Sequence, residues 1–383
     1  MNGTILSKLD VSVNKVNRFI STNMSPRKQY GEYEKTFHPI EIVNEAKILE
    51  VAEILSKDIL PNREYKQSTT SKNFIIMLGK IFSDKKIILG DKKISQSTLK
   101  QVYNQLDTVY KNKKILTFTL LGYPHKMPNP LYTNSTSVDL SEVISLVKLY
   151  NLMKIISKIY PYGVKLIILT ENSIFHKMSD ISNEEQMKYF NDLCYWEKLI
   201  DKNQLLDVVD IKNYHTKELE EKWSTVETEL KHKYEKSDPV IKDKVNSVMP
   251  TNFMTLNYRE YKLDLLIKYF DINYQNKEVE KLRVINYERA LKESFYYLSY
   301  HQARYELGFM DAVFPNTFRL TVAPKVGSFA INMLNNKSKI LPYYGYIVKK
   351  GRDFKMEYIV DVPKKAKSIY WEENLEHPFY YEI

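Results

Sequence analysis

A chain of 383 residues with 43% apolar and 13% aromatic content has ample material for a packed core, which excludes global disorder and points to one large elaborated domain or two intimate ones. The net charge of +10 comes from lysines dispersed among Glu and Asp, without the dense basic-aromatic cluster that nucleic-acid binding needs, which argues against nucleic acid as a partner. No run of apolar residues is long enough for a membrane helix, and the first residues, MNGTILSKLDVSVNKVNRF, lack the apolar stretch of a signal peptide; the expected location is cytoplasmic.

The first 112 residues read as a mainly helical region packed on the remainder. Ile5, Leu9, Val13 and Val16 recur at helical spacing within residues 1–22. After a polar segment with Pro26, Gly31 and Pro39, a second helix is expected from Glu41 to Leu60, ended by Pro61. NFIIMLGKIF fits helix or strand equally. A third helix is expected from Ser95 to Asn112, with Leu99, Val102, Leu106 and Val109 on one face.

At Ile115 the pattern changes. ILTFTLLG is a near-continuous apolar run of strand length, as in a strand buried on both faces. A proline-rich loop follows, and then a long helix opened by Asp139 and Glu142 in capping-box spacing and stopped by Pro161 and Gly163. VKLIILT is a second buried strand. Strand, helix, strand in this order predicts a parallel βαβ unit. Ser182 and Glu185 open a further helix through Ile200; it contains Cys194, the sole cysteine, expected as a buried thiol in a reducing compartment rather than a nucleophile.

LLDVVDI reads as a third strand, and Thr216–Lys236 as a charged, solvent-facing helix. Pro239 and Pro250 bracket a segment without clear pattern, before helices at about Thr255–Phe270 and Glu278–Leu307. From Phe314 to Val348, FRLTVA, SFAINML and GYIV read as short strands. Arg319, Thr321, Lys325 and Ser328 sit on these strands or in the loop between them, either facing a ligand or belonging to an ordinary buried meander. FKMEYIVD adds a strand before an aromatic tail. The fold class is therefore α/β: residues 113–383 form a Rossmann-like mixed sheet with a parallel βαβ unit, a helical insertion at about 180–310 and a C-terminal meander.

No GxGxxG, Walker, GxSxG or HExxH motif is present, and the histidines at 38, 125, 176, 215, 232, 301 and 377 show no ligand spacing, which argues against an iron or zinc centre. Open α/β sheets bind ligands beyond the carboxyl ends of their strands. That rule places His125 and Lys126, after the first strand, beside Glu171 and Asn172, after the second. Acid–base chemistry with Lys, Glu, Tyr or His leaves no sequence signature.

Several segments in order resemble the isocyanide synthase family, also called the pyoverdine/dityrosine biosynthesis family. Pro124-His125-Lys126-Met127-Pro128-Asn129-Pro130 is similar to its Lys-Ser-Pro-Asn loop, and Tyr160-Pro161-Tyr162-Gly163 to its Tyr-Pro-Pro-Gly. VKLIILTENSIFHKM resembles the strand ending in Ser-Asp-Gly. Arg319-Leu320-Thr321-Val322-Ala323-Pro324 resembles Arg-Leu-Ser-Ile-His-Pro, and Leu341-Pro342-Tyr343-Tyr344-Gly345 resembles Thr-Pro-Trp-His-Gly. The likeness spans about residues 115–350. It departs where the family has Asp-Gly (here Glu171-Asn172) and two histidines (here Ala323 and Tyr344).

The resemblance implies condensation of the amine of tyrosine or tryptophan with the C2 ketone of ribulose 5-phosphate, giving an isonitrile without metal or redox cofactor. It further implies an iron/2-oxoglutarate oxygenase as a pathway partner. On this reading Glu171, Lys126, His125 and Tyr344 are the catalytic candidates, with Glu171 first for acid–base work and Lys126 also suited to phosphate or carboxylate. Arg319, Lys325, Thr321, Ser328 and Asn172 are the substrate-binding candidates, Arg319 and Lys325 as cations. Two other readings stand beside it: a formyl- or acyl-tyrosine-forming homologue, and a basic α/β protein binding nucleic acid or anionic ligands without turnover.

Overall fold

The computed structural model describes residues 12–23, 39–57, 66–89, 96–129, 132–171, 174, 178, 181–260, 271–274, 276–322, 329–334 and 340–383. Its centre is a parallel sheet of β2 (Leu116–Leu121), β3 (Val164–Thr170), β4 (Leu206–Asp210), β5 (Phe318–Thr321) and β6 (Phe329–Ala330), in the order β4-β3-β2-β5-β6. Counted within the sheet this is 3-2-1-4-5, the Rossmann-type order, which reverses between β2 and β5. Register runs from Leu116 opposite Val164 to Leu121 opposite Leu169, so the βαβ unit is parallel as the sequence predicts.

The crossover helix α5 (Leu140–Ile159) is buried on nearly every side, which explains why it shows no polar face. It packs against β3 on one side and reaches β7 (Tyr346–Lys350) of a second sheet. Its capping box is formed: Asp139 accepts from the Ser141 amide at 2.8 Å and Glu142 from the Asp139 amide at 3.1 Å. The Ser182–Glu185 box likewise opens α6 (Asn183–Ile200). Cys194 of α6 is half-buried against the core rather than fully enclosed, and burial pushes its thiol up to about 11, so the group stays protonated.

The second sheet is where sequence patterning and structure part. Its order is β1 (Ile40–Val43), β9 (Lys367–Trp371), β10 (Tyr380–Glu382), β7, β8 (Asp353–Glu357). The stretch expected to open a helix at Glu41 instead pairs in parallel with Ser368–Trp371, and helix α2 (Glu45–Lys57) starts only after Asn44 accepts the Lys47 amide at 3.0 Å. The aromatic tail supplies the end of β9 and the whole of β10, and its Trp371 and Phe379 pack on Trp196 of α6 with ring centroids 5.1 and 5.7 Å from the indole. The three strands read from Phe314 to Val348 divide between the sheets: β5 and β6 extend the parallel sheet, and β7 joins the second.

NFIIMLGKIF resolves to helix, within α3 (Ser71–Phe82), capped by Thr70; α4 (Gln96–Lys111) follows it. Of the first expected helix, α1 (Val13–Asn23) is described, and residues 1–11 lie outside the described set. It buries Val16 and Ile20 in a second core, formed with α7 (Lys217–Glu235), α8 (Pro239–Glu260), α9 (Lys277–Glu306) and α10 (Phe309–Val313). The charged helix α7 is not wholly solvent-facing: Leu219, Val226, Leu230 and Tyr234 line a buried stripe. Pro239 and Pro250 do not interrupt structure. Asp238 accepts the Val240 and Ile241 amides at 2.9 and 3.1 Å, Pro239 takes the first helical position, and α8 runs on through Pro250. The expected continuation over 261–270 lies outside the described residues.

Two stability predictions arise here. A Cβ added at Gly345 would stand 2.6 Å from the Glu357 carbonyl oxygen, where the backbone ends of β7 and β8 meet. Gly345→Ala must push that strand end aside, at a cost of about 1–3 kcal/mol by urea denaturation. An unchanged midpoint would contradict the close approach. The second concerns Asp192 of α6, whose carboxyl is raised to about 6 by burial and by Glu376, against the pull of Lys188. A raised carboxyl contributes stability fully below its usual value of 3.8 and loses it as pH rises through about 6. Asp192→Asn is therefore expected to be more stable than the parent by about 1–2 kcal/mol at pH 7 and equal to it near pH 4, in paired denaturation curves at both pH values.

Candidate active site

The carboxyl ends of β2, β3 and β5 converge below the helical layer. At the end of β2, Tyr123 is fully buried with φ of 50°, a left-handed conformation that costs a bulky residue about 1–3 kcal/mol and that tends to persist at functional sites. Its hydroxyl meets the Ser145 hydroxyl of α5. At the end of β3, Glu171 is buried and accepts a hydrogen bond from the Arg304 guanidinium of α9. Arg304 is also buried, lying over the rings of Tyr300 and Phe309 at 5.0 and 5.7 Å. Among the described residues its Nε has no hydrogen-bond partner.

Helical spacing puts Tyr297, Tyr300, His301 and Arg304 on one stripe of α9, facing Glu171. His301 Nδ1 lies 3.9 Å from Glu171 Oε1, and the Tyr297 ring sits edge-on to the imidazole at 4.4 Å. Tyr300 donates to or accepts from His215 Nε2 at 3.1 Å. Burial raises the hydroxyls of Tyr297 and Tyr300, and the negative charge of Glu171 adds to both, so they remain protonated donors. Burial lowers the His215 imidazole, with Arg304 acting in the same sense.

The turn Pro342–Tyr344 closes the opposite wall. Burial raises the Tyr344 hydroxyl to about 12, assisted by Tyr132, Tyr358 and Glu171. Its ring lies 4.7 Å from Tyr343 and 6.1 Å from Tyr132. Tyr343 is fully enclosed, its hydroxyl raised by burial and then by Tyr344, Tyr297, Glu171 and Tyr123. The result is a buried carboxylate–guanidinium pair walled by tyrosines.

Behind Tyr343 lies a second charged cluster. Lys126 is fully buried, bonded to Asp139 and 3.0 Å from Glu142, with the Tyr346 ring 5.6 Å from its ammonium. Burial pushes the Glu142 carboxyl up, Lys126 opposes that, and Asp139 adds to it. Ser141 ties the cluster to the tyrosine wall by donating to the Pro342 carbonyl at 2.6 Å. His377, buried beside Lys126, is held near 4 by burial first and that cation second, so it is neutral at pH 7.

The sequence-derived candidates thus fall into separate places. Glu171 and Tyr344 share the tyrosine-walled site, and Thr321 is buried at the end of β5, opposite Leu121. His125, buried against the Tyr189 ring at 5.1 Å, and Lys126 belong to the inner cluster. There the lysine faces two carboxylates and has no exposed surface, which is unsuited to clamping a sugar phosphate. Arg319 points to solvent from β5 and pairs with exposed Asp311 at 2.9 Å, away from Glu171. Lys325, Ser328, Asn172 and Ala323 lie outside the described residues.

Sequence reasoning missed Arg304, Tyr297 and Tyr300, and counted His301 only among the histidines without ligand spacing. The available signal was the stripe itself, aromatic and cationic where a core-facing helix would ordinarily carry Leu or Ile. Among the described residues no group of three or more His, Cys, Asp or Glu is arranged to hold a metal ion, and no helix is long and apolar enough to cross a membrane.

No curated protein sequence matches the chain. The crystal structure of the PvcA protein from Pseudomonas aeruginosa superposes with a TM-score of 0.54, covering 88% of this chain and 99% of that one at 15% identity, which establishes a shared fold. The sequence profile of the pyoverdine/dityrosine biosynthesis proteins matches residues 106–368, from the end of α4 to β9, well over half the chain. On that match the chain belongs to the pyoverdine/dityrosine biosynthesis protein family, a family of biosynthetic enzymes.

Proposed function

We propose that the protein is an isonitrile synthase-like enzyme that joins the α-amine of tyrosine or tryptophan to the C2 ketone of ribulose 5-phosphate. The observation that carries the reading is the buried Glu171–Arg304 pair inside the tyrosine wall. A buried ion pair is weak evidence for stability, because desolvation offsets most of the Coulomb attraction. Its charges match those of an α-amino acid, whose ammonium would take Glu171 and whose carboxylate would take the Arg304 fork. Tyr297, Tyr343 and Tyr344 then supply the pocket for an aromatic side chain.

Family membership supports the same class of chemistry. The sugar phosphate needs a further cation, and Lys325, on the connection between β5 and β6, is our candidate; Thr321, Ser328 and Asn172 are proposed as polar contacts on the same rim. The test is to incubate purified protein with tyrosine or tryptophan and ribulose 5-phosphate and to identify the product by mass. An isonitrile is expected. Consumption of neither substrate would overturn the proposal, and a formylated amino acid would move the protein to the dityrosine-type chemistry.

A further inference from the structure

The zwitterion clamp leaves one polar group of the site without a task. We propose that His301 is the proton-transfer group of this site, its Nδ1 facing the carboxylate of Glu171 that would hold the bound amine. The inference rests on the reading above, in which an amino acid occupies the Glu171–Arg304 pair.

The geometry favours His301 over every other histidine of the described chain. Its side chain is 31% exposed, whereas those of Glu171 and Arg304 are 8% and 7%; Nε2 is enclosed, so Nδ1, on the side of Glu171, is the nitrogen that would meet an amine bound there. Glu171 Oε1 lies 3.9 Å from Nδ1, beyond hydrogen-bond length but close enough to favour the imidazolium when it forms. His215 stands behind Tyr300 and is bonded to it. His125 and His377 are buried in the Lys126 cluster, and His232 is on α7.

The charged and titratable groups around His301 come from three elements: Glu171 at the end of β3; Tyr297, Tyr300 and Arg304 on α9; and Tyr343 with Tyr344 on the facing turn. Asp210 and His215 lie one layer further, across Tyr300. Imidazole is the side chain suited to both accepting and returning a proton, and His301 carries the one that faces the Glu171 carboxylate.

The proton balance is closed within the site. Neutral His301 takes a proton from the substrate ammonium, freeing the nitrogen lone pair. That lone pair forms the C–N bond to the ketone carbon, the C=O π pair moves to oxygen, and a proton from nitrogen ends on that oxygen to give the carbinolamine. Imidazolium then protonates the hydroxyl, the C–O bond breaks, water leaves, and the nitrogen lone pair forms the protonated imine. His301 ends neutral and no oxidant or reductant is consumed.

The experiment compares wild type, His301→Gln and Glu171→Gln, with folding checked by circular dichroism. For His301→Gln the expected result is a kcat lower by about 100-fold at pH 7, a KM for the amino acid within about threefold of wild type, and loss of the ascending limb of the kcat–pH profile. In ¹H–¹⁵N spectra of the histidine rings, Glu171→Gln is expected to lower the titration midpoint of His301, because the carboxylate favours the imidazolium. An unchanged kcat and pH profile in His301→Gln overturns the inference and leaves the isonitrile reading intact. If wild type forms no product at all, the substrate reading falls, and the ring spectra decide alone: a His301 midpoint indifferent to Glu171→Gln overturns the pairing.

Discussion

Arg304→Met is expected to lower kcat/KM for the amino acid by about 10²–10³-fold, the loss of a charge-assisted fork together with the stranding of a buried carboxylate. The same variant should be less stable by about 3–5 kcal/mol, because Glu171 keeps its charge in an enclosed site with its partner gone. Adding Glu171→Gln separates the two effects. The double variant is expected to regain most of the lost stability in urea denaturation, since no unpaired charge remains, and to stay inactive, since neither end of the amino acid is held. Arg304→Lys keeps the charge without the planar fork and should fall between wild type and Arg304→Met in kcat/KM. Recovery of activity in the double variant would show that the pair is structural.

A stability effect of the same size is expected at Lys126. Its ammonium is fully buried between Asp139 and Glu142, and Asp139 is at the same time the cap of the central helix α5. Lys126→Met leaves that carboxylate charged and uncompensated in the interior, at a cost of about 3–5 kcal/mol, a large fraction of the roughly 5–15 kcal/mol by which a domain is stable. Lys126→Met combined with Asp139→Asn should recover most of the loss, because Asn keeps the capping oxygen while removing the charge. A double variant no more stable than the single one would contradict the assignment of Lys126 as the counter-charge of the helix start.

What the sequence made legible follows from the physics of each element. The βαβ unit was readable because its strands are buried on both faces and its helix carries a capping box, so local pattern and tertiary role agree. Strand β1 was not. Four residues ahead of a strong helical pattern are too few to stand out, three of them are exposed, and their pairing with β9 is a contact across most of the chain. The tail strands β9 and β10 were hidden similarly, as aromatic residues spaced by turn formers.

At the site, Glu171 and Tyr344 could be placed because they end or follow recognisable elements. Lys126 looked like an accessible loop cation because its partners, Asp139 and Glu142, read fully as a helix cap; one pair of carboxylates does both jobs. Arg304 and His301 were illegible for the opposite reason. They sit in the last two turns of a long helix, and only the docking of that helix over the end of β3 gives them a carboxylate to face.

The most direct test of the zwitterion clamp is a calorimetric titration of the wild-type protein with three ligands for each ring type: the amino acid, its amine and its propionate. For tyrosine these are tyrosine, tyramine and 3-(4-hydroxyphenyl)propionate; for tryptophan, the corresponding indole compounds. Because each truncated ligand leaves one buried charge unpaired, the amino acid of the preferred ring is expected to bind at least about tenfold more tightly than either. In Arg304→Met with Glu171→Gln that advantage should vanish. Equal affinities for the amino acid and its amine in wild type, or an advantage that survives in the double variant, would contradict the assignment of Glu171 and Arg304 as the amino-acid receptor.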